Sequence, residues 1–441
     1  MPVTVVGGAE FTGHAGEAHP IPVSQQSRLA LQASLLNVGE AWRADLGRHA
    51  RPSVDTRELD EESLLGFSAR IARLRAMPSA ARPAYAHEWA SLWKKSGTAV
   101  GWPDSSRMIA ALEGWSGAAP ALSEFRALLR GVEQIEAAGA LHTAYAALLD
   151  LTLLVPSRDL RAAYARAQSG RVLRTLGLIS EAEAAFEDAV EVARASDDRW
   201  LLARCGLGLG VLLRKRGRYS EARVVFERVL EEAIHHPDLL AGAHLGLVMI
   251  ARAADEYDAA LAHGWEALSL SRGLEHAEIE ALAVLSTLSV DVGEYVAARR
   301  SCQTALNRSP TLPMRQPLIR TIVEAALALG DQDVIDEHLA ELEENAWQSL
   351  NPWEQAHALR VLSKVHARHA RSPEARACLH RCHEIACQHG YFELRLVSEA
   401  ALGAAHGAQI DTLPMQAARR RGALGERSRV VIQRLTALPL G

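Results

Sequence analysis

The chain has little of what holds a small secreted protein together. Its 441 residues include five cysteines, an odd number unevenly spread, which excludes a disulfide framework and fits a reducing cytoplasm. No apolar window reaches bilayer-spanning length without charges, and the N-terminus, M-P-V-T-V-V-G-G-A-E-F, lacks a basic stretch leading into a long apolar run. Neither export nor a membrane span is expected. Aromatics make up only 5% against 49% hydrophobic residues, so the interior has to be built from Ala and Leu, strong helix formers that let helices approach closely. A net charge of −5 is small for this length and gives no whole-molecule attraction to nucleic acid or anionic membrane. Only four of the 48 basic residues are lysines (Lys94, Lys95, Lys215, Lys364), a compositional bias that carries no functional weight.

Catalytic signatures are equally scarce. There is no nucleophile elbow, phosphate loop, His-Glu-x-x-His pair or Cys-His arrangement in a recognisable context. The run G-L-G-L-G from Gly206 to Gly210 lacks the preceding strand and the full G-x-G-x-x-G of a nucleotide loop, and Gly210 reads instead as a helix–helix contact. No enzyme, cofactor or resident metal is expected.

What the chain does have is a repeat. In G-R-V-L-R-T-L-G-L-I-S-E-A-E-A-A-F-E-D-A, from Gly170 to Ala189, the positions Gly170, Gly177, Ala182, Phe186 and Ala189 recur downstream. The turn position falls at Gly139, Gly177, Gly217, Asp255, Gly293, Gly330 and Ala370, at spacings of 38, 40, 38, 38, 37 and 40 residues. Five positions later stand Ala144, Ala182, Ala222, Ala260, Ala298, Ile335 and Ala375, small in six cases of seven. The aromatic is kept at Phe186 and Phe226, while Tyr219, Tyr257 and Tyr295 follow the turn by two.

This pattern resembles the tetratricopeptide repeat (TPR), with longer units than the family's usual 34 residues, as in bacterial signalling and regulatory helical-repeat proteins. The resemblance covers residues 124 to about 392. It implies an all-α, right-handed α-solenoid of about seven TPR-like helix-turn-helix units, with an irregular helical cap before them. The expected organisation is a flexible tail over 1–23, a Trp-rich helical cap over 24–120, the solenoid over 121–410 and a basic tail over 411–441.

Within the cap, Leu29, Leu31, Leu35, Leu36, Val38 and Trp42 support one helix closing before Pro52, and Leu64, Leu65, Phe67, Ile71 and Leu74 support another. Trp89 and Trp93 share a helix face, Gly97, Gly101 and Pro103 form a turn, and Trp115 follows. These tryptophans are expected to close one end of the solenoid, with an exposed protein-binding anchor as the alternative. In the tail, six arginines (Arg419, Arg420, Arg421, Arg427, Arg429, Arg434) face Glu426, and a short helix through Val430, Val431 and Leu435 would be interrupted by Gly422 and Gly425.

The family's inner-wall positions, transferred onto this register, are Tyr164, Ala167, Arg171, Arg174 and Thr175; then Arg204, Leu207, Val211, Arg214 and Lys215; then Gly242, Leu245, Met249, Arg252 and Ala253. Later units contribute Glu280, Asp291 and Glu324 before Arg360, Lys364 and Arg368 restore positive charge. The resemblance therefore implies a protein or peptide partner, held through an acidic segment by Tyr164, Arg171, Arg174, Arg204, Arg214, Lys215 and Arg252. The family's carboxylate clamp pairs Lys with Asn at set positions of the first helix, and no such Asn is present, so a chaperone C-terminus is not the expected ligand. Alternatives are a sensor of peptides or effectors that acts on another protein, and a nucleic-acid binder using the Arg-rich tail. The segment from His366 to His389 holds five histidines and three cysteines; Cys378 and Cys382, with His380 and His383, could share faces for zinc, but the register makes Cys382 a small packing residue.

Overall fold

The computed structural model describes residues 61–96, 105–117, 119–404 and 412–439. The expected tail over 1–23, the helix before Pro52 and the turn through Gly97, Gly101 and Pro103 lie outside them. The described residues form twenty α-helices and one short 3-10 turn, with no strand among them.

Three helices lead in: α1 (Glu61–Ala76), α2 (Arg82–Ser96) and α3 (Ser105–Glu113). Seven antiparallel pairs follow. Unit I is α4 (Leu122–Ala137) with α5 (Leu141–Thr152), unit II α6 (Leu160–Thr175) with α7 (Ile179–Ala195), and unit III α8 (Arg199–Lys215) with α9 (Tyr219–Glu232). Unit IV is α10 (Pro237–Ala253) with α11 (Tyr257–Leu270), and unit V α12 (Glu275–Asp291) with α13 (Tyr295–Leu306). Unit VI is α14 (Leu312–Leu329) with α15 (Gln332–Gln348), and unit VII α16 (Pro352–Arg368) with α17 (Ser372–Gln388). Helices α18 (Phe392–Ala404), α19 (Thr412–Ala423) and α20 (Glu426–Thr436) complete the chain.

The turn inside each unit is chemically the same. All seven turn positions have positive φ, from Gly139 at 82° to Ala370 at 57°. One amide past each, a backbone N–H closes a 6→1 bond onto the first helix: Leu178 to Leu173, Arg218 to Leu213, Glu256 to Ala251 and Arg371 to His366, each at 2.9 Å. Glycine takes this conformation without steric cost, which is why it fills five of the seven positions.

Units II and III are each locked by one aromatic in a slot made of glycine. The Phe186 ring lies against Gly170 of its own unit and Gly208 of the next, and Phe226 lies against Gly210 and Gly246. A Cβ at Gly170 would stand 2.9 Å from the Phe186 ring, and at Gly208 it would overlap that ring outright. Gly210 is therefore a packing residue, and Gly208 and Gly246 share that task. Unit I has no Phe in its second helix; Phe67 of α1 fills the equivalent slot over Gly131. The lead-in helices thus cap unit I, and Phe67, Trp89 and Trp93 form one aromatic cluster with ring centroids 5.2 to 5.8 Å apart. Trp89 and Trp115 are fully buried, so these rings are core and offer no exposed anchor.

Two sets of contacts tie distant parts together. At the first, which we call the seam, unit VII and α18 meet the turns of units II and III. The His389 Nδ1–H donates to the Gly177 carbonyl at 3.0 Å, Phe392 packs over Gly217 and edge-on to Tyr219, and Arg252 reaches Glu393 at 2.7 Å.

At the second, α19 and α20 fold back on units IV and V. Leu424, Val431, Ile432 and Leu435 are buried with Tyr257, Leu261 and Ala297. Asp258 accepts from the Gly425 amide at 3.0 Å and from the Ser428 hydroxyl, capping the N-terminus of α20 from another unit. Gly425 separates two helices, and the residues read as a basic tail form a folded strap. Arg420 pairs with Asp255 at 2.9 Å and lies over the Tyr257 ring, while Arg434 lies over Trp265.

Candidate interaction site on the inner wall

The first helices of successive units pack against one another, so the stripe expected to face inward runs from unit to unit as a candidate wall. Tyr164 on α6 is buried, donates to Asp198 at 2.8 Å and accepts from Arg126 at 3.0 Å. Burial first, then the Asp198 bond, raises its phenol above the ordinary range. It also stacks on Trp200 at 5.5 Å. Its place on the wall is therefore fixed by three neighbours.

The six cations divide into two kinds. Arg171 is already paired, 2.7 Å from Glu136 and 3.9 Å from Glu133. Burial works against its charge, but the two carboxylates outweigh it and raise its pKa. Arg252 is held between Asp291 and Glu393, which raise its pKa well above the ordinary value despite burial.

Arg174, Arg204, Arg214 and Lys215 are different. Among the described residues no carboxylate lies within ion-pair distance of any of them. Burial pushes Arg174 down to about 10, still charged at neutral pH, and lowers Arg204 and Arg214 as well. Lys215 is only 7% exposed, and burial, reinforced by Arg174 and Arg214, lowers its pKa well below the ordinary value. An unpaired buried cation is costly. Here aromatic faces compensate in part: Arg214 and Lys215 lie over the Trp353 ring at 5.2 and 4.8 Å, and Lys215 lies 5.2 Å from the Tyr391 ring.

The rest of the wall is compensated. Glu324 accepts from Arg360 at 3.1 Å and from Lys364, Arg320 meets Glu354 at 3.0 Å, and Arg315 makes a two-pronged pair with Glu341. Arg368 donates to the Leu327 carbonyl at 3.0 Å. Glu280 is exposed and its charge reaches Arg171 and Arg174.

Trp353 and Tyr391 were not among the residues expected to contribute. Both stand in unit VII and the turn before α18, far along the chain from Lys215, and only the seam brings them to it. The repeat register places residues within a unit but carries no signal for contacts between the two ends.

In the His/Cys segment, Cys378 and Cys382 are 1% exposed, with thiols pushed up to about 11 by burial, while Cys387 is exposed. His383 Nδ1 lies 3.1 Å from the Ser398 hydroxyl, and His389 is engaged at the seam. Among the described residues, no group of three or more His, Cys, Asp or Glu converges.

Residues 160–231 match the family model described as the tetratricopeptide repeat, a span that coincides with units II and III. Two solved structures are similar along most of the chain. One is a Rap protein complexed with competence and sporulation factor, at 14% identity and a TM-score of 0.46, covering 89% of this chain and 98% of that one. The other is the apo form of RapI, at 11% identity and a TM-score of 0.42, covering 86% and 97%. No curated protein sequence matches the chain significantly.

Proposed function

We propose, from the premise that this chain is a tetratricopeptide-repeat helical protein, that it is a non-catalytic interaction module, an adaptor or regulatory subunit that grips an acidic segment of a partner protein. The supporting observation is the unbalanced inner wall of units II and III. Arg174, Arg204, Arg214 and Lys215 lose solvent without a carboxylate at ion-pair distance among the described residues, whereas the neighbouring Arg171 and Arg252 are already paired. A polypeptide carrying Asp or Glu would supply the missing charge, and Arg171, Arg252 and Tyr164 would border it and set its orientation.

A sensing role is the second reading, favoured by the seam. Because unit VII and α18 touch the turns of units II and III, a ligand on the inner wall would bias how firmly they close. No described helix is long and apolar enough to cross a membrane. The five cysteines are unpaired and four of them are buried, which suits the cytoplasm. A nucleic-acid role for the Arg-rich end is disfavoured, because Arg420 and Arg434 are engaged within the chain.

The test is fluorescence anisotropy with labelled Asp/Glu-rich peptides. Binding should weaken as salt rises, and the double variant Arg174→Glu with Arg204→Glu should abolish most of it. Equal affinity in that variant would end the groove reading.

A further inference from the structure

The seam gathers buried polar groups from units II, III and VII. Lys215 and Arg214 are 7% and 8% exposed, and Tyr391 and His357 are 0% and 8% exposed. Three buried polar atoms there have no hydrogen-bond partner: Arg174 Nε, Tyr391 Oη and His357 Nδ1. Such atoms are rare in a folded protein and point to a missing partner.

The chemistry of the gathering is one-sided. The Arg174 charge reaches both Lys215 and the Tyr391 hydroxyl. Glu354, whose charge also reaches Lys215, is committed to Arg320 at 3.0 Å. The Trp353 and Tyr391 rings offer Lys215 their faces, but a quadrupole offsets only part of a buried charge and leaves the hydroxyl unserved. A group that satisfies two cations and a phenol O–H together has to be an acceptor with several negatively charged oxygens.

We infer that the seam is an oxyanion-binding site, in which one ligand bridges Arg174 and Lys215 and accepts from the Tyr391 hydroxyl. The ligand joins α6 and α8 of units II and III to Trp353 of unit VII and to the turn before α18. Its occupation fastens the two ends of the solenoid. The oxyanion comes either from solution, as free phosphate, or on an acidic polypeptide lying along the wall. The site shares Arg174 and Lys215 with the proposed groove, but it stands on the Tyr391 hydroxyl and does not need the groove reading to hold.

The probes are inorganic phosphate and a hexaglutamate peptide, added to the full-length chain while thermal unfolding and amide exchange in α18 are followed. Millimolar phosphate should raise Tm by about 2–4 °C above a chloride control of matched ionic strength, and slow exchange in α18. Lys215→Met should remove both effects. Tyr391→Phe, which deletes only the unserved hydroxyl, and Arg174→Met, at a partly exposed position, should each reduce them and keep the test decisive if the lysine variant folds poorly.

A response to phosphate supports the free ion as the source. A response to hexaglutamate alone, lost with the same substitutions, supports the site with a polypeptide as the source. No response to either probe, or one that survives all three substitutions, overturns the inference. If phosphate acts at the seam while acidic peptides fail to bind, the seam stands and the groove reading falls.

Discussion

Two arcs of the same inner wall treat buried charge in opposite ways. From unit IV to unit VII, Arg252 sits between Asp291 and Glu393, Glu324 between Arg360 and Lys364, and Arg320 against Glu354. In units II and III, Arg214 and Lys215 are buried and Arg174 and Arg204 half-buried, with no carboxylate within ion-pair distance among the described residues. Both arcs use the same helix pairs and the same positive-φ turns. The first arrangement holds units together, and the second leaves a charge for something else to complete.

The comparison can be broken most directly at Glu324. Glu324→Ala leaves Arg360 and Lys364 beside each other without their carboxylate, and urea unfolding should show a loss of about 3–5 kcal/mol. Next comes Arg252→Met, which strands Asp291 and Glu393 and should cost about 2–4 kcal/mol while raising amide exchange in α18. In the uncompensated arc, Arg174→Glu with Arg204→Glu should leave stability within about 1 kcal/mol of wild type, because no internal pair is lost, yet weaken acidic-peptide binding at least tenfold, by roughly 1.4 kcal/mol or more. An unfolded double variant would show that these cations are structural after all.

The smallest effects are in the pH dependence, where both groups make stability rise with pH, Glu324 in the acid range and Lys215 in the basic range. Burial disfavours the Glu324 charge, but Arg360 and Lys364 more than reverse that and hold its carboxyl far below the ordinary range. Its contribution is full above the unfolded carboxylate value and is lost as pH falls below about 4. The wild type should therefore lose stability more steeply on acidification than Glu324→Gln. Lys215 has a lowered folded value, so its charge opposes folding until pH rises through that value toward the ordinary lysine range. Urea midpoints of the wild type should rise there relative to Lys215→Met, and parallel curves would remove Lys215 from the uncompensated set.

The architecture was largely legible because repeats state it several times over. All seven turn positions named from spacing have positive φ, and all seven helix-B positions from Ala144 to Ala375 are buried. Inner-wall residues were legible as a list but not as a balance. The sequence places Arg171 and Arg174 side by side on a family pattern, yet one pairs with Glu136 of the preceding unit and the other has no carboxylate at ion-pair distance among the described residues. That difference depends on side-chain reach across units. Gly208 and Gly246 were missed as slots although Gly131, Gly170, Gly208 and Gly246 recur at spacings of 39, 38 and 38 residues, because the register counted from the turn leads from Gly170 to Gly210 instead. Trp353, Tyr391 and the strap were missed because contacts such as His389 to Gly177, across 212 residues, leave no mark at the scale of one repeat.

Those long contacts also fix how many repeats the protein can have. In an open solenoid a unit can be duplicated or deleted at the cost of its own terms and one interface. Here unit VII and α18 must arrive in phase with the turns at Gly177 and Gly217, where even a Cβ would stand 2.7 Å from His389 or Phe392. Adding or removing one unit between them rotates and shifts the far end by a whole repeat, so His389 and Phe392 would face different turns and Lys215 would lose its rings. A spring tolerates any number of coils, but a clasped bracelet has one size.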